Sequence, residues 1–200
     1  TIVNNYLEAA GENIMFGGGH SVIGRDGIPS DIVIRDNTLF KPLNWWKQHP
    51  SWDGSNWTVK NLLELKMAKR VTIENNVMEN SWPAGQLGYG TVLSPTNDIN
   101  LDPWATVEDV TIRGNDVKNT TIGIAFTRPG PYPTQPVSNV TVTNNLFTGL
   151  KDLKTLNPFV TNGPLVDISE SQYQFFIVGG PKDITINNNT FLFDNPKRVG

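Results

Sequence analysis

Acid–base chemistry on a rigid scaffold needs a carboxyl and an amine or guanidinium held by regular structure, and few residues of this chain meet that description. Glu64 and Lys66 do, because they alternate with Leu63 and Leu65 and so share the outer face of one strand. A Glu and a Lys two apart are also commonly a plain surface pair. Arg128, in Phe126-Thr127-Arg128-Pro129, stands at the end of another apolar strand and could act as a base, although an arginine beside a turn is ordinarily a surface charge. Asp98 and Asp102 could offer oxygens to Ca²⁺. No dense Asp-x-Asp cluster accompanies them, and Asp before Pro is ordinarily a turn residue. His20 and His49 are too isolated to suggest a metal site or a triad. The absence of cysteine removes disulfides, thiolate catalysis and Cys-ligated zinc.

Recognition by aromatic faces is a second possibility. Four of the six tryptophans, Trp45, Trp46, Trp52 and Trp57, fall within thirteen residues of one insertion. That loop is too polar for a strand and too aromatic for a disordered linker. Either its rings bury against the strands as a small core of their own, or one or two lie exposed as platforms for the apolar faces of sugar rings. In the second case Lys47, Gln48, His49 and Asp53 would bond to hydroxyls, and both readings can hold for different rings. Trp104 and Tyr132, in two further loops, belong to the same candidate binding set.

The elements that must carry these groups repeat. The pattern apolar, x, apolar, x, x, Asn, x, apolar places its Asn at Asn5, Asn37, Asn76, Asn115, Asn145 and Asn189. Ile2, Ile34, Ile73, Ile112, Val142 and Ile186 precede it by three, and Leu7, Leu39, Met78, Val117, Phe147 and Phe191 follow it by two. The spacings are 32, 39, 39, 30 and 44 residues, so a fixed rung is joined by loops of variable length, as in a solenoid. Val71 and Ile73 alternating with Thr72 and Glu74 have the period of a half-buried strand, and the segments are too short and β-branched for a helical repeat. Each repeat carries a second apolar strand, at 13–16, 61–66, 91–93, 122–126 and 175–178, with turns such as Gly17-Gly18-Gly19 between.

The unit therefore reads strand, Asn bend, short strand, turn, strand, loop, which is a coil of a parallel β-helix. Rungs stack about 4.8 Å apart, so each Asn can bond to the Asn of the next rung, and the same residue is expected to take the left-handed backbone of the bend. In that register Glu74 lies between Arg35 and Arg113 and is expected to pair with both. Insertions at corresponding corners emerge on one face, so the loops after Gly19, Ser94 and Thr127 are expected to wall a single groove.

Composition agrees with a structural use of asparagine, since Asn occurs 23 times in the 200 residues against 15 for Leu. With 18% charged residues and a net charge of −3, there is no electrostatic footprint for nucleic acid or an anionic membrane. No apolar run approaches the roughly 18 residues of a membrane span. The chain begins at Thr1-Ile2-Val3-Asn4-Asn5, inside a repeat, and residues 1–200 are expected to form one domain of a longer protein.

The segments Asp183-Ile184-Thr185-Ile186-Asn187-Asn188-Asn189-Thr190-Phe191 and Asn139-Val140-Thr141-Val142-Thr143-Asn144-Asn145-Leu146-Phe147 resemble coils of right-handed parallel β-helix repeat proteins, the pectate-lyase-like superfamily. The resemblance covers essentially the whole chain. More narrowly, residues 5–18 and 57–66 are similar to a group of large secreted bacterial β-helix proteins. The resemblance implies an all-β fold, a right-handed single-stranded parallel β-helix of about six coils with loop insertions. It also implies a secreted or cell-surface location and a polysaccharide as partner. Lyases of this fold use Arg or Lys to take the proton alpha to a uronate carboxyl that a cation such as Ca²⁺ neutralises, and glycosidases use two carboxylates about 5–9.5 Å apart. Arg128 resembles the Arg-x-Pro pattern of pectate lyases, but Gly130 and Pro131 follow where another Arg is usual. The leading expectation is a carbohydrate-active protein of lyase or hydrolase type, and the alternative is a non-catalytic structural or adhesive solenoid.

Overall fold

The computed structural model describes residues 1–127, 130–150 and 173–192. Their seventeen strands form three parallel sheets, and every third strand in sequence belongs to the same sheet. Sheet A is β1 (Ile2–Val3), β4 (Ser30–Arg35), β7 (Ala68–Glu74), β10 (Val107–Arg113), β13 (Ser138–Thr143) and β16 (Lys182–Asn187). Sheet B is β2 (Tyr6–Glu8), β5 (Thr38–Phe40), β8 (Val77–Glu79), β11 (Asp116–Lys118), β14 (Leu146–Thr148) and β17 (Thr190–Leu192). Sheet C is β3 (Ile14–Phe16), β6 (Leu63–Leu65), β9 (Tyr89–Leu93), β12 (Ile122–Phe126) and β15 (Tyr173–Ile177). This stacking is a β-solenoid of about six coils, consistent with a right-handed parallel β-helix. Among the described residues there is no α-helix, and none is long and apolar enough to cross a membrane.

Register places like residues above one another. Ile34, Ile73, Ile112 and Val142 stack inside sheet A, and Leu39, Met78, Val117 and Phe147 stack inside sheet B. All eight are at most 2% exposed, so the repeat's apolar positions are its core. Towards the last coil the filling becomes aromatic: Phe147 stacks on Phe191 at 4.9 Å, and Phe175 meets both edge-on. Sheet C narrows at Gly90, where a Cβ would lie 2.6 Å from the Gly123 carbonyl oxygen and 2.9 Å from Val117.

The corner between sheets A and B is the asparagine ladder. The Asn76 amide Nδ2 donates to Asn115 Oδ1 at 3.0 Å, and the Asn76 backbone N–H donates to the same oxygen at 2.9 Å. Nδ2 also reaches the Glu74 and Ile34 carbonyls, both at 3.0 Å, so one side chain joins three successive coils. The same pattern links Asn5 to Asn37, Asn37 to Asn76, Asn115 to Asn145 and Asn145 to Asn189.

The bend's left-handed residue is not the ladder Asn, as the sequence reading has it, but its predecessor: Asn4, Asp36, Asn75, Gly114, Asn144 and Asn188 all have φ between 52° and 65°. The labour divides because the ladder side chain must point inward, while the turn itself needs a residue tolerant of positive φ. A second left-handed column, Asp31, Arg70, Asp109, Asn139 and Asp183, lies six residues before each ladder Asn from Asn37 onward. It bulges each sheet A strand so that two neighbours face outward, as with Lys69 and Arg70 between the buried Ala68 and Val71.

The outward charges form pairs between coils, with one change from expectation. Glu74 accepts from Arg113 Nε at 2.6 Å, but Arg35 turns to its own neighbour Asp36. The left-handed backbone at Asp36 brings that carboxylate to the guanidinium, and the adjacent partner wins over the one a rung away. Arg70 grips Asp31 of the preceding coil with two bonds of 2.7 Å.

Replacing Asn76 with Leu should cost about 2–4 kcal/mol, because the Asn37 N–H and Nδ2 lose their shared acceptor in a buried site. Asn5→Ala, at an exposed rung, should cost under about 1 kcal/mol. Urea unfolding of both variants checks the contrast, and equal costs would mean that the ladder's interior bonds add nothing.

Candidate functional site

Sheets A and B are always joined by two residues, as Asn75 and Asn76 join β7 to β8, so insertions occur only at the two ends of sheet C. Three loops run from sheet C to sheet A, after β3, β9 and β12, and they are bonded to one another. His20 Nδ1 meets Asp102 Oδ1 at 3.0 Å, and Asn97 Nδ2 donates to the Pro133 carbonyl at 2.9 Å. Gln135 donates through its backbone N–H to Ala105 at 2.9 Å and through Nε2 to Pro103 at 3.0 Å. They enclose, with the outward residues of sheet A, a polar groove of about 340 Å³ lined by Arg25, Lys69, Trp104, Glu108, Gln135 and Lys182, among others.

At the other end of sheet C stands the tryptophan loop. Its first residue, Lys41, is fully buried, and its ammonium gathers the Ala9, Ala10 and Gly11 carbonyls and Asn13 Oδ1 at 2.5–3.3 Å. Burial pushes this amine down to about 7, against the opposing pull of Glu12. Lys41 thus ties the root of the loop to the preceding coil. Beyond it the loop closes on itself: Asp53 N–H donates to Asn44 O at 2.9 Å, and the Asp53 carboxylate accepts from the Ser55 N–H at 2.8 Å and Trp57 Nε1 at 3.0 Å. The Ser55 amide and then the Trp57 indole hold that carboxyl below its usual range.

The rings pair off. Trp45 stacks on Trp57 at 4.7 Å, and Trp46 stacks on Trp82, which the next coil supplies, at 5.8 Å. Between the pairs lies a cleft of about 230 Å³, whose remaining lining includes Lys47, Gln48, Ser55 and Asn56. Trp82, from the next coil, is 4% exposed and belongs to the packing, whereas within the loop Trp57 is 40% and Trp52 36% exposed. Trp46 Nε1 is buried without a hydrogen-bond partner. Of the expected polar helpers, Asp53 is committed to the loop and His49 Nδ1 to the Ser51 hydroxyl at 2.8 Å, while Lys47 sits 5.9 Å over Trp52. Gln48 remains in the cleft lining.

The six aromatic candidates therefore do not share one site. Trp45, Trp46, Trp52 and Trp57 belong to the loop between sheets B and C. Trp104 packs on Ile28, Met67 and Ala105 at the opposite end of sheet C, in a loop entering sheet A, and Tyr132, 38% exposed, lies in another such loop. Counting whether an insertion follows the second or the third strand of its coil would have separated them.

Glu64 and Lys66 flank the end of β6 in sheet C, away from Glu74 at the far end of β7 in sheet A. Glu64 points outward yet is only 4% exposed, and it accepts from Asn61 Nδ2 at 3.2 Å. Burial raises its pKa, partly opposed by the Lys66 charge and the Asn61 bond, while the neighbouring carboxyl of Glu12 raises it further. Glu12 Oε1 lies 3.4 Å from Lys60 Nζ but accepts no hydrogen bond. The raised Glu64 carboxyl has acid–base character, but neither it nor Glu12 lines the tryptophan cleft or the polar groove. Arg128 lies outside the described residues.

Asp102, considered as a Ca²⁺ ligand, is 2% exposed and bonded to His20, while Asp98 is exposed. Among the described residues no three His, Cys, Asp or Glu side chains come together as a metal site would need. The His20–Asp102 contact joins residues 82 apart, and only the alignment of two loops that leave sheet C two coils apart could have indicated it. No family model, curated protein or solved structure matches the chain.

Because its folded-state pKa is raised, Glu64 holds its proton more tightly in the folded than in the unfolded chain, so stability falls as pH rises from the ordinary value of 4.5 through the folded pKa. Glu64→Gln keeps the acceptor for Asn61 and removes this penalty. Its urea midpoint should exceed the wild-type value at pH 8 and converge with it near pH 4. A wild-type midpoint that rises relative to the variant's over that range would contradict the burial argument.

Proposed function

We propose that the protein is a polysaccharide-binding β-solenoid that works outside the cell, and that its saccharide site is the tryptophan cleft. One observation carries this reading: Trp57, stacked on Trp45, forms a partly exposed aromatic wall in a cleft that also presents Gln48, Ser55 and Asn56. An indole face takes the C–H face of a pyranose, and amides and hydroxyls bond to the ring's hydroxyl groups. Such a cleft is held in shape by the Asp53 bonds and by Lys41, so little order must be created on binding.

Holding rather than cleaving is the favoured role. The residues lining the cleft include no carboxylate, whereas hydrolysis of a glycosidic bond needs two. Glu64, buried, and Lys66, half-buried, the acid–base couple on a rung, are not among its lining residues. A glycan-binding solenoid with an adhesive task satisfies both facts.

Titration with soluble oligosaccharides of the cello, xylo, manno and oligogalacturonate series, followed by tryptophan fluorescence and calorimetry, tests the proposal. At least one series should bind, and Trp57→Ala should weaken it at least about tenfold, the loss expected for a stacking platform. Lack of binding across the panel, or binding unaffected by Trp57→Ala, would overturn it. Release of unsaturated products absorbing in the ultraviolet would replace holding with cleavage.

A further inference from the structure

We propose that the polar groove between sheets C and A is a second, independent binding site, and that it takes an oxyanion. Its floor is a column of outward residues brought into register by the bulge in sheet A. Lys69 pairs with Glu108, Glu108 with Ser138 and Ser138 with Lys182 on successive rungs. Four rungs at the usual spacing make a track of about 14 Å along the solenoid axis. Arg25, Trp104 and Gln135 approach it from three different loops.

The groove is preorganised. Trp104 packs on Ile28, Met67 and Ala105, which fixes its ring. Gln135 is pinned by its bonds to Ala105 and Pro103, and the His20–Asp102 contact joins the loops that carry Arg25 and Trp104. The left-handed residues Arg70, Asp109, Asn139 and Asp183 turn the backbone beside each floor residue. Side chains set on rigid rungs in this way lose little freedom when a ligand arrives.

The charges decide what the ligand is. Lys69 is answered by Glu108 at 3.0 Å, and the other Glu108 oxygen lies 3.3 Å from the Thr106 hydroxyl. Arg25 and Lys182 form no ion pair among the described residues, and Asp183 is the only further acid in the lining. The groove thus holds three cations against two carboxylates on a chain whose net charge is −3. A guanidinium and an ammonium without partners, with the Ser138 hydroxyl between the Glu108 and Lys182 rungs, suit a carboxylate, phosphate or sulfate group. The rest of the ligand would lie along the track against Trp104. The tryptophan cleft is at the opposite end of sheet C, so this site does not depend on the saccharide reading.

Calorimetry in low-salt buffer with sodium phosphate, sodium sulfate, glucuronate and, as the neutral control, glucose tests the proposal. At least one oxyanion should bind at millimolar concentration, and glucose should not bind to the groove. Lys182→Gln and Arg25→Gln should each weaken that binding at least fivefold, while Lys118→Gln, paired with Asp116 elsewhere, should leave it unchanged. Arg25 and Lys182 are exposed, so their variants should keep the wild-type urea midpoint. Binding of phosphate or sulfate but not glucuronate assigns a free or esterified inorganic anion, and binding of glucuronate assigns an anion carried on a sugar. No binding by any oxyanion, or binding that survives both substitutions, overturns the site.

Discussion

The interaction on which the structure depends is the amide ladder at the corner of sheets A and B. Each interior ladder oxygen accepts two N–H groups from the coil before it, and each amide also bonds to two carbonyls. A slip of one residue would break these bonds together and turn the apolar columns of both sheets outward. Side-chain bonding and hydrophobic register are thus one constraint, and a buried amide left unmatched is the penalty that enforces it.

Because the ladder fixes the sheet A to sheet B connection at two residues, chain variation is confined to the ends of sheet C. The loops there can be long without disturbing the rungs, since closing a longer loop adds little entropy. They still need anchors. Lys41 is one, a buried amine whose N–H groups are taken up by carbonyl oxygens of the previous coil and by Asn13 Oδ1. The His20–Asp102 pair is another, joining insertions that sit two coils apart in the chain. Both are polar contacts made at loops, where hydrophobic periodicity has no purchase.

That difference explains what could be read in the sequence. The coils were legible because stacking makes a one-dimensional pattern: the same residue type at the same place in each repeat. The neighbours of Glu74 were legible as a register, though not the choice between them, because the turn at Asp36 captures Arg35 locally. Glu64 illustrates the limit. Alternation correctly places it on the outer face of β6, but sheet C's outer face is covered where sheet A's is open, and Val92 and Ala125 beside it are as buried as core residues. Periodicity tells which way a side chain points and not what lies over it. The tryptophans stand out in the sequence by type, and their division between two corners follows from strand order rather than composition.

The two clefts differ in chemistry because they sit on opposite sides of that covered sheet. A ligand touching both would have to cross the outer face of sheet C, where Tyr89, Val92, Ile122 and Ala125 form a buried apolar cluster. Each site must therefore hold its ligand with its own groups. The tryptophan cleft has four rings and a single cation in its lining, so its binding should derive from apolar faces and amides and respond weakly to salt. The polar groove has one ring and five charges, two of the cations without partners among the described residues, so its binding should weaken as ionic strength rises. One ladder thus supports two proposed recognition surfaces whose physics is separable, and salt is the variable that separates them.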